Sequence, residues 1–386
     1  MKRARTCGVF VVSLLLAVSC SGGSAIREPA KPESKPAQPA PPASSAGQPS
    51  SSAAPGAATA PQPAAATKPT AAAAAPGATV WNLPTIFNQS DYQLGVLQKL
   101  TAKVKEKSAG RLDIRIHPSS SLYGLFDIGP AVIDGRVEIA SIPTTGISDA
   151  KPQLAIGDLP YVAATDEQGR KVADALVPYY KREAERSGLV LLITLPWPNQ
   201  NLYTVKQPVR TVDEWKNLKI RSYSVESADF VRAMGASPVT IPSGELYVGM
   251  QRGLAEGGVT STMFIQSTKV YEVIKFANLW AWNPGPQELV SVNKKAWDAL
   301  PADLQKVITD VIAEEKLLDE ARELRAGAND KALKFIMDNG VQRVDVAPAE
   351  IEKAKELSKK VVWANWLKRA GSVGEEAVKI AEEAVR

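Results

Sequence analysis

Asp213-Glu214-Trp215-Lys216-Asn217-Leu218-Lys219-Ile220-Arg221, followed by Ser222-Tyr223-Ser224, reads as a polar turn that runs into a strand and ends at a helix cap. Leu218 to Tyr223 is the expected strand, and Ser224 is placed to cap a helix over Glu226 to Met234. Ligands of open α/β sheets bind outside the carboxyl ends of their strands. Arg221 stands at such an end, and its guanidinium offers a planar fork of donors that matches a carboxylate.

The alternation of strand and helix extends in both directions and predicts an α/β fold with mainly parallel pairing. Upstream, strands are expected over Thr79 to Phe87, Leu112 to His117, Val137 to Ile142 and Leu189 to Leu195. Helices are expected over Leu94 to Lys107, Phe126 to Asp134 and Thr165 to Ser187, the first carrying Leu94, Leu97, Leu100 and Val104 on one face. Downstream come strands over Asn201 to Val205 and Ser237 to Thr240, and a helix capped by Ser243 that runs to Arg252. Pro301 opens a helical pattern that continues to Asp338, about 55 Å if unbroken, long enough to bridge two lobes. Further helices follow over 349–386.

The first 78 residues have a different character. Lys2, Arg3 and Arg5 precede an apolar run over 8–18 that is too short to span a bilayer, the layout of a secretory signal. Leu16-Ala17-Val18-Ser19-Cys20 resembles a bacterial lipoprotein cleavage box, which implies a signal peptide over 1–20 and acylation of Cys20. Residues 21–78 are rich in Ala, Pro and Ser with hardly any large apolar side chains, so they cannot bury enough surface to fold. They read as a tether reaching roughly 45 Å as a coil and ~180 Å if extended.

Composition excludes most chemistry. The 386-residue chain has one histidine, His117, and two cysteines, of which Cys7 is cleaved with the signal and Cys20 is lipidated. A serine triad needs a histidine beside the serine, and zinc sites need several His or Cys ligands. His117 reads as structural, and no glycine-rich phosphate loop follows a strand. No enzyme activity, cofactor or metal is expected. Removing Lys2, Arg3 and Arg5 from 46 basic residues leaves 43 against 41 acidic ones, a balance that does not suggest nucleic acid.

The stretch ending at Arg221 resembles a motif of the TRAP (tripartite ATP-independent periplasmic) transporter solute-binding proteins. The likeness continues through Met234-Gly235-Ala236-Ser237-Pro238-Val239, Glu245-Leu246-Tyr247, Gln251-Arg252-Gly253-Leu254-Ala255-Glu256-Gly257, Tyr271-Glu272-Val273 and Ala296-Trp297-Asp298-Ala299-Leu300-Pro301. Ser108-Ala109-Gly110-Arg111 and Leu159-Pro160-Tyr161 fit as well, so the resemblance covers about 79–345. It implies an extracytoplasmic, two-lobed, periplasmic-binding-protein-like fold that closes on its ligand and delivers it to TRAP membrane subunits. Lobe I is expected over about 79–198 and 287–326, lobe II over about 199–286 and 327–386. Arg221 takes the place of the arginine that grips the ligand carboxylate.

Departures from the pattern bear on the ligand. Where many members carry a second arginine, this chain has Gln200; Thr260 replaces a common asparagine, Glu256 a usual aspartate, and Trp282 a frequent polar residue. Loss of one cation and gain of indole surface favour a monocarboxylate with an apolar or aromatic body over dicarboxylates. Trp197, Trp282, Tyr223 and Phe264 are the expected aromatic lining, with Thr144, Thr145 and Tyr123 as candidates from the first lobe. A lipid-anchored sensor for a membrane receptor would share this pocket, and a secreted hydrolase is the third class.

Overall fold

Residues 77–283 and 285–386 are described by the computed structural model. The expected signal peptide, Cys20 and all but the last two residues of the tether lie outside them. β1 (Thr79–Pro84) and β2 (Leu112–His117) pair parallel, with α1 (Tyr92–Lys107) between them in sequence. α2 (Ile128–Ile133), β3 (Ile139–Pro143), α3 (Thr144–Ile147) and a 3₁₀ stretch over Pro152–Asp158 lead to α4 (Asp166–Arg186) and β4 (Leu189–Pro196). Thr165 starts α4 by accepting a hydrogen bond from the Gln168 amide, and Asp166 and Glu167 complement the helix dipole in its first turn.

The second half supplies a larger sheet. β5 (Gln200–Thr204), β6 (Lys219–Ser222), α5 (Val225–Ala233), β7 (Ser237–Thr240), α6 (Leu246–Gln251), β8 (Gly257–Ser261), α7 (Thr262–Ser267) and β9 (Phe276–Asn283) follow in order. β10 (Gln287–Asn293) then returns to lie between β3 and β4, antiparallel to both. After α8 (Lys294–Ala299), α9 (Ala302–Glu314) and α10 (Leu317–Asp338), β11 (Gln342–Asp345) joins the second sheet, whose order is β11-β9-β5-β8-β6-β7. α11 (Pro348–Ser358), a π turn over Lys359–Trp363 and α12 (Ala364–Ala384) complete the described chain. Among the described residues no helix is long and apolar enough to cross a membrane.

Several expectations are corrected. Pairing is mixed rather than mainly parallel: β1-β2, β6-β7, β6-β8 and β9-β11 run parallel, whereas β10 pairs antiparallel with β3 and β4, and β5 with β8 and β9. The helical pattern from 301 to 338 is two helices, because Lys316 adopts a left-handed conformation (φ 49°) that no α-helix interior tolerates. The longer piece, α10, spans about 33 Å. β8, β9 and β11 occupy stretches where the sequence reading places no strand.

The chain crosses between the two larger sheets at 197–199 and again ahead of β10, at 285–286, and the crossings lie side by side. Trp197 N–H donates to the Pro286 carbonyl (3.0 Å), and Asn283 N–H to the Asn199 side-chain oxygen (3.3 Å). α10 fastens the first crossing, with Arg325 Nε donating to the Trp197 carbonyl (2.8 Å) and Asn329 Nδ2 to that of Asn199 (3.4 Å). The C-terminal helices cover the outside: Trp363 and Trp366 donate their indole N–H groups to the Pro160 and Pro152 carbonyls, and Arg369 reaches both Ser148 O and Glu226.

Close backbone approach sets the second crossing. A Cβ added to Gly157 would sit 2.5 Å from the Gly285 carbonyl oxygen, nearer than such atoms come. Gly157→Ala is therefore expected to force the crossing outward and destabilise the fold by about 1–3 kcal/mol, measured as a fall of several degrees in the thermal midpoint.

Candidate ligand-binding site

Arg221 is the penultimate residue of β6, between β7 and β8, and this placement follows from local sequence. Ser224 ends the strand by capping α5: its hydroxyl accepts from Ser227 N–H, and the Ser227 hydroxyl accepts in turn from Ser224 N–H. The Arg221 side chain is 1% exposed. Its Nε donates to Ile241 O (3.0 Å), Nη1 to Val259 O (3.3 Å) and Nη2 to Ser243 Oγ (3.2 Å), and its guanidinium lies 5.2 Å from the Tyr223 ring centroid. Three of five N–H groups are thus taken, leaving one on each terminal nitrogen.

No carboxylate pairs with this cation among the described residues. Burial without a counter-charge pushes the guanidinium down to about 10, so it stays protonated at neutral pH. A buried charge supported only by neutral oxygens is poised for an anion, because the field it creates in a low-dielectric surrounding is uncompensated. Ser243 takes part here and does not cap the helix after it, as the sequence reading expects; its hydroxyl is turned to Arg221 and makes no cap bond.

The guanidinium faces a partly open cavity with about 430 Å³ of atom-free space, some of it continuous with solvent. Lobe-joining and second-sheet residues form most of its wall: Trp197, Gln200, Tyr223, Thr260, Phe264 and Gln287, with Ile86, Leu125 and Thr145 from the first half. Arg221 is the only charged side chain in the described lining. Gln200 and Gln287 each use an amide N–H on a nearby carbonyl, Pro198 O (2.7 Å) and Gly285 O (3.1 Å). Phe264 is held by the start of α7, where its N–H donates to the Ser261 hydroxyl.

Seven of the residues named from sequence, Thr145, Trp197, Gln200, Arg221, Tyr223, Thr260 and Phe264, therefore come together at one cavity although 119 positions separate the first from the last. Trp282 and Thr144 do not reach it. Trp282 is fully buried behind the wall, stacked on Phe230 at 4.7 Å and beside Tyr223 at 6.4 Å. Thr144 points away and donates to Gln287 O (3.1 Å), while its neighbour Thr145 lines the cavity. Tyr123 lies under Arg136 and Trp280 packs edge-on against Trp215, its N–H on Val209 O. Gln287 was missed; its place at the opening of a strand directly after Gly285-Pro286 was the available signal.

The DctP family, described as bacterial extracellular solute-binding protein, family 7, matches residues 85–369. The chain belongs to this family. It is a TRAP-type solute-binding protein, acts outside the cytoplasm, and its family is one of receptors rather than enzymes. The C4-dicarboxylate-binding periplasmic protein DctP of Rhodobacter capsulatus is 29% identical over 283 residues, 70% of this chain and 81% of the relative. DctP6, a Bordetella pertussis extracytoplasmic solute receptor binding pyroglutamic acid, superposes with a TM-score of 0.74 at 27% identity, covering 79% of this chain and all of that one. A TRAP periplasmic solute-binding protein from Desulfovibrio salexigens with bound orotic acid gives 0.73 at 26% identity, covering 79% and 98%. The fold is accordingly the two-lobed α/β fold of this family.

The packing of Trp282 separates core from lining. Trp282→Ala is expected to destabilise the ligand-free protein by about 3–5 kcal/mol, measured by chemical unfolding, as for a central core aromatic.

Proposed function

We propose that this family 7 receptor captures a small monocarboxylic acid with a flat apolar or aromatic body and presents it to TRAP membrane subunits for uptake. The observation that carries the reading is the buried, uncompensated Arg221, alone as a charge in the cavity wall. One cation balances one carboxylate. A second carboxylate on the ligand would meet Gln200 or Gln287, whose amides donate without neutralising it.

The remaining wall describes the rest of the ligand. Trp197, Phe264, Ile86, Leu125 and Pro286 are apolar or aromatic, while Gln200, Gln287 and Thr260 offer donors and acceptors at the edge. The two Bordetella and Desulfovibrio receptors bind pyroglutamic acid and orotic acid, each a ring amide with a single carboxylate. Such acids suit a wall of this kind. In the same reading, Trp197, Gln200, Arg221, Tyr223, Thr260 and Phe264 contact the ligand, and Trp282 supports Tyr223 from behind.

Lobe I, about 79–198 and 287–326, and lobe II, about 199–286 and 327–386, close about the paired crossings at 197–199 and 285–286. The near-complete burial of Arg221 fits the closed form. Ligand binds that form better because its carboxylate replaces water at the fork, which is the differential affinity a hinge requires. Upstream, lipidated Cys20 and the tether keep the receptor at the membrane surface.

Calorimetry with orotic acid, pyroglutamic acid and succinate tests the reading. One of the ring monocarboxylates should bind more tightly than succinate, and Arg221→Ala should weaken it by about 2–5 kcal/mol, thirtyfold or more. Equal affinity for succinate, or an Arg221→Ala variant that binds as the parent does, removes the assignment. Separately, Cys20→Ser should move the full-length protein from the membrane fraction to the soluble extracytoplasmic fraction, and retention at the membrane contradicts the anchor.

A further inference from the structure

Glu288 is the second residue of β10, opposite Pro143 of β3 and Leu195 of β4, and it is completely buried. Both carboxyl oxygens accept from neutral donors: Oε1 from Ser141 Oγ (2.7 Å) and Oε2 from Trp197 Nε1 (2.9 Å). An aliphatic side chain would fill this interior position at lower desolvation cost. What the carboxyl group adds is a hold on an indole whose ring forms part of the cavity wall.

Among the bonds given for Trp197, the one to Glu288 is the polar hold on its ring. Its backbone is fixed at the crossing by Pro286 and Arg325, but those bonds do not set the side-chain torsions. The ring packs against two hydrophobic cores and tilts against Phe87, 5.2 Å between centroids, and its N–H donates to Glu288. We propose that Glu288 is the positioning residue for Trp197, its buried carboxyl group gripping the indole N–H from behind and so setting the plane against which the ligand ring lies. This assignment rests on the reading of the cavity given above.

The surroundings of Glu288 support a neutral acid in that place. Ser141 faces it from β3, Thr194 and Leu195 of β4 carry no charge, and the ionisable groups near it are Asp158 of the 3₁₀ stretch and Tyr92 of α1. Burial pushes the Glu288 carboxyl up to about 8. It is therefore protonated through the neutral range, its own hydrogen shared with Ser141 Oγ while Oε2 accepts from the indole, and it ionises above that range, directly against the indole N–H.

The test uses the parent protein, Glu288→Gln, Glu288→Leu and Trp197→Phe, the last removing one of eight tryptophans. In ligand-free protein, tryptophan emission should show a transition centred near pH 8 that is absent in both Glu288→Gln and Trp197→Phe. Its survival in either variant overturns the proposal, and this measurement stands even where neither acid binds the parent or Glu288→Leu does not fold. With orotic acid in the calorimeter, Glu288→Gln should bind within about threefold of the parent and Glu288→Leu about tenfold or more weakly. In the Trp197→Phe background the two substitutions at 288 should bind alike. A Glu288→Leu penalty that persists without the indole N–H, or a Glu288→Gln loss as large as that of Glu288→Leu, shows that Glu288 does not act through Trp197.

Discussion

A guanidinium that is 1% exposed and faces no carboxylate among the described residues is the constraint around which the rest of the structure is arranged. Transfer of a lone charge out of water costs several kcal/mol even after relaxation, and three neutral oxygens recover only part of that. The second sheet bears the cost through order rather than through counter-charge. β7 and β8 flank β6 and deliver Ile241 O and Val259 O to the guanidinium from either side, and Ser243 completes the set. The field left over points into the cavity, which is what an anion receptor needs.

Two sheets contribute to one small cavity because the chain crosses between them twice at the same place. Trp197 and Pro286 are bonded to each other across the crossings, and each is followed by a glutamine that reaches the cavity, Gln200 and Gln287. In the proposed closure, hinge and binding wall share residues. α10 is tied to the same place through the Trp197 and Asn199 carbonyls.

The strand before Arg221 and its position at a carboxyl end were legible because they depend on local chemistry: an apolar run, then a serine that caps α5. Gln200 and Thr260 were legible only by comparison with a family pattern, since an amide in a strand carries no local signal of a cavity. Trp282 was misplaced for a physical reason. Trp280 and Trp282, two residues apart, share one face of β9 while Ala281 on the other is exposed, but period alone does not say which face meets the core. Mixed pairing was invisible because it is decided by long-range register, as when β10 enters between β3 and β4. The break at Lys316 was invisible too, since Glu315 and Lys316 are ordinary helix formers and carry no local signal of the left-handed turn.

The most direct measurement is a crystal structure of residues 79–386 with orotic or pyroglutamic acid bound. The account predicts both ligand carboxylate oxygens within hydrogen-bonding distance of the two terminal nitrogens of Arg221, with the ring against Trp197. A bound acid whose carboxylate lies on other residues, or an Arg221 side chain turned out of the cavity, contradicts it.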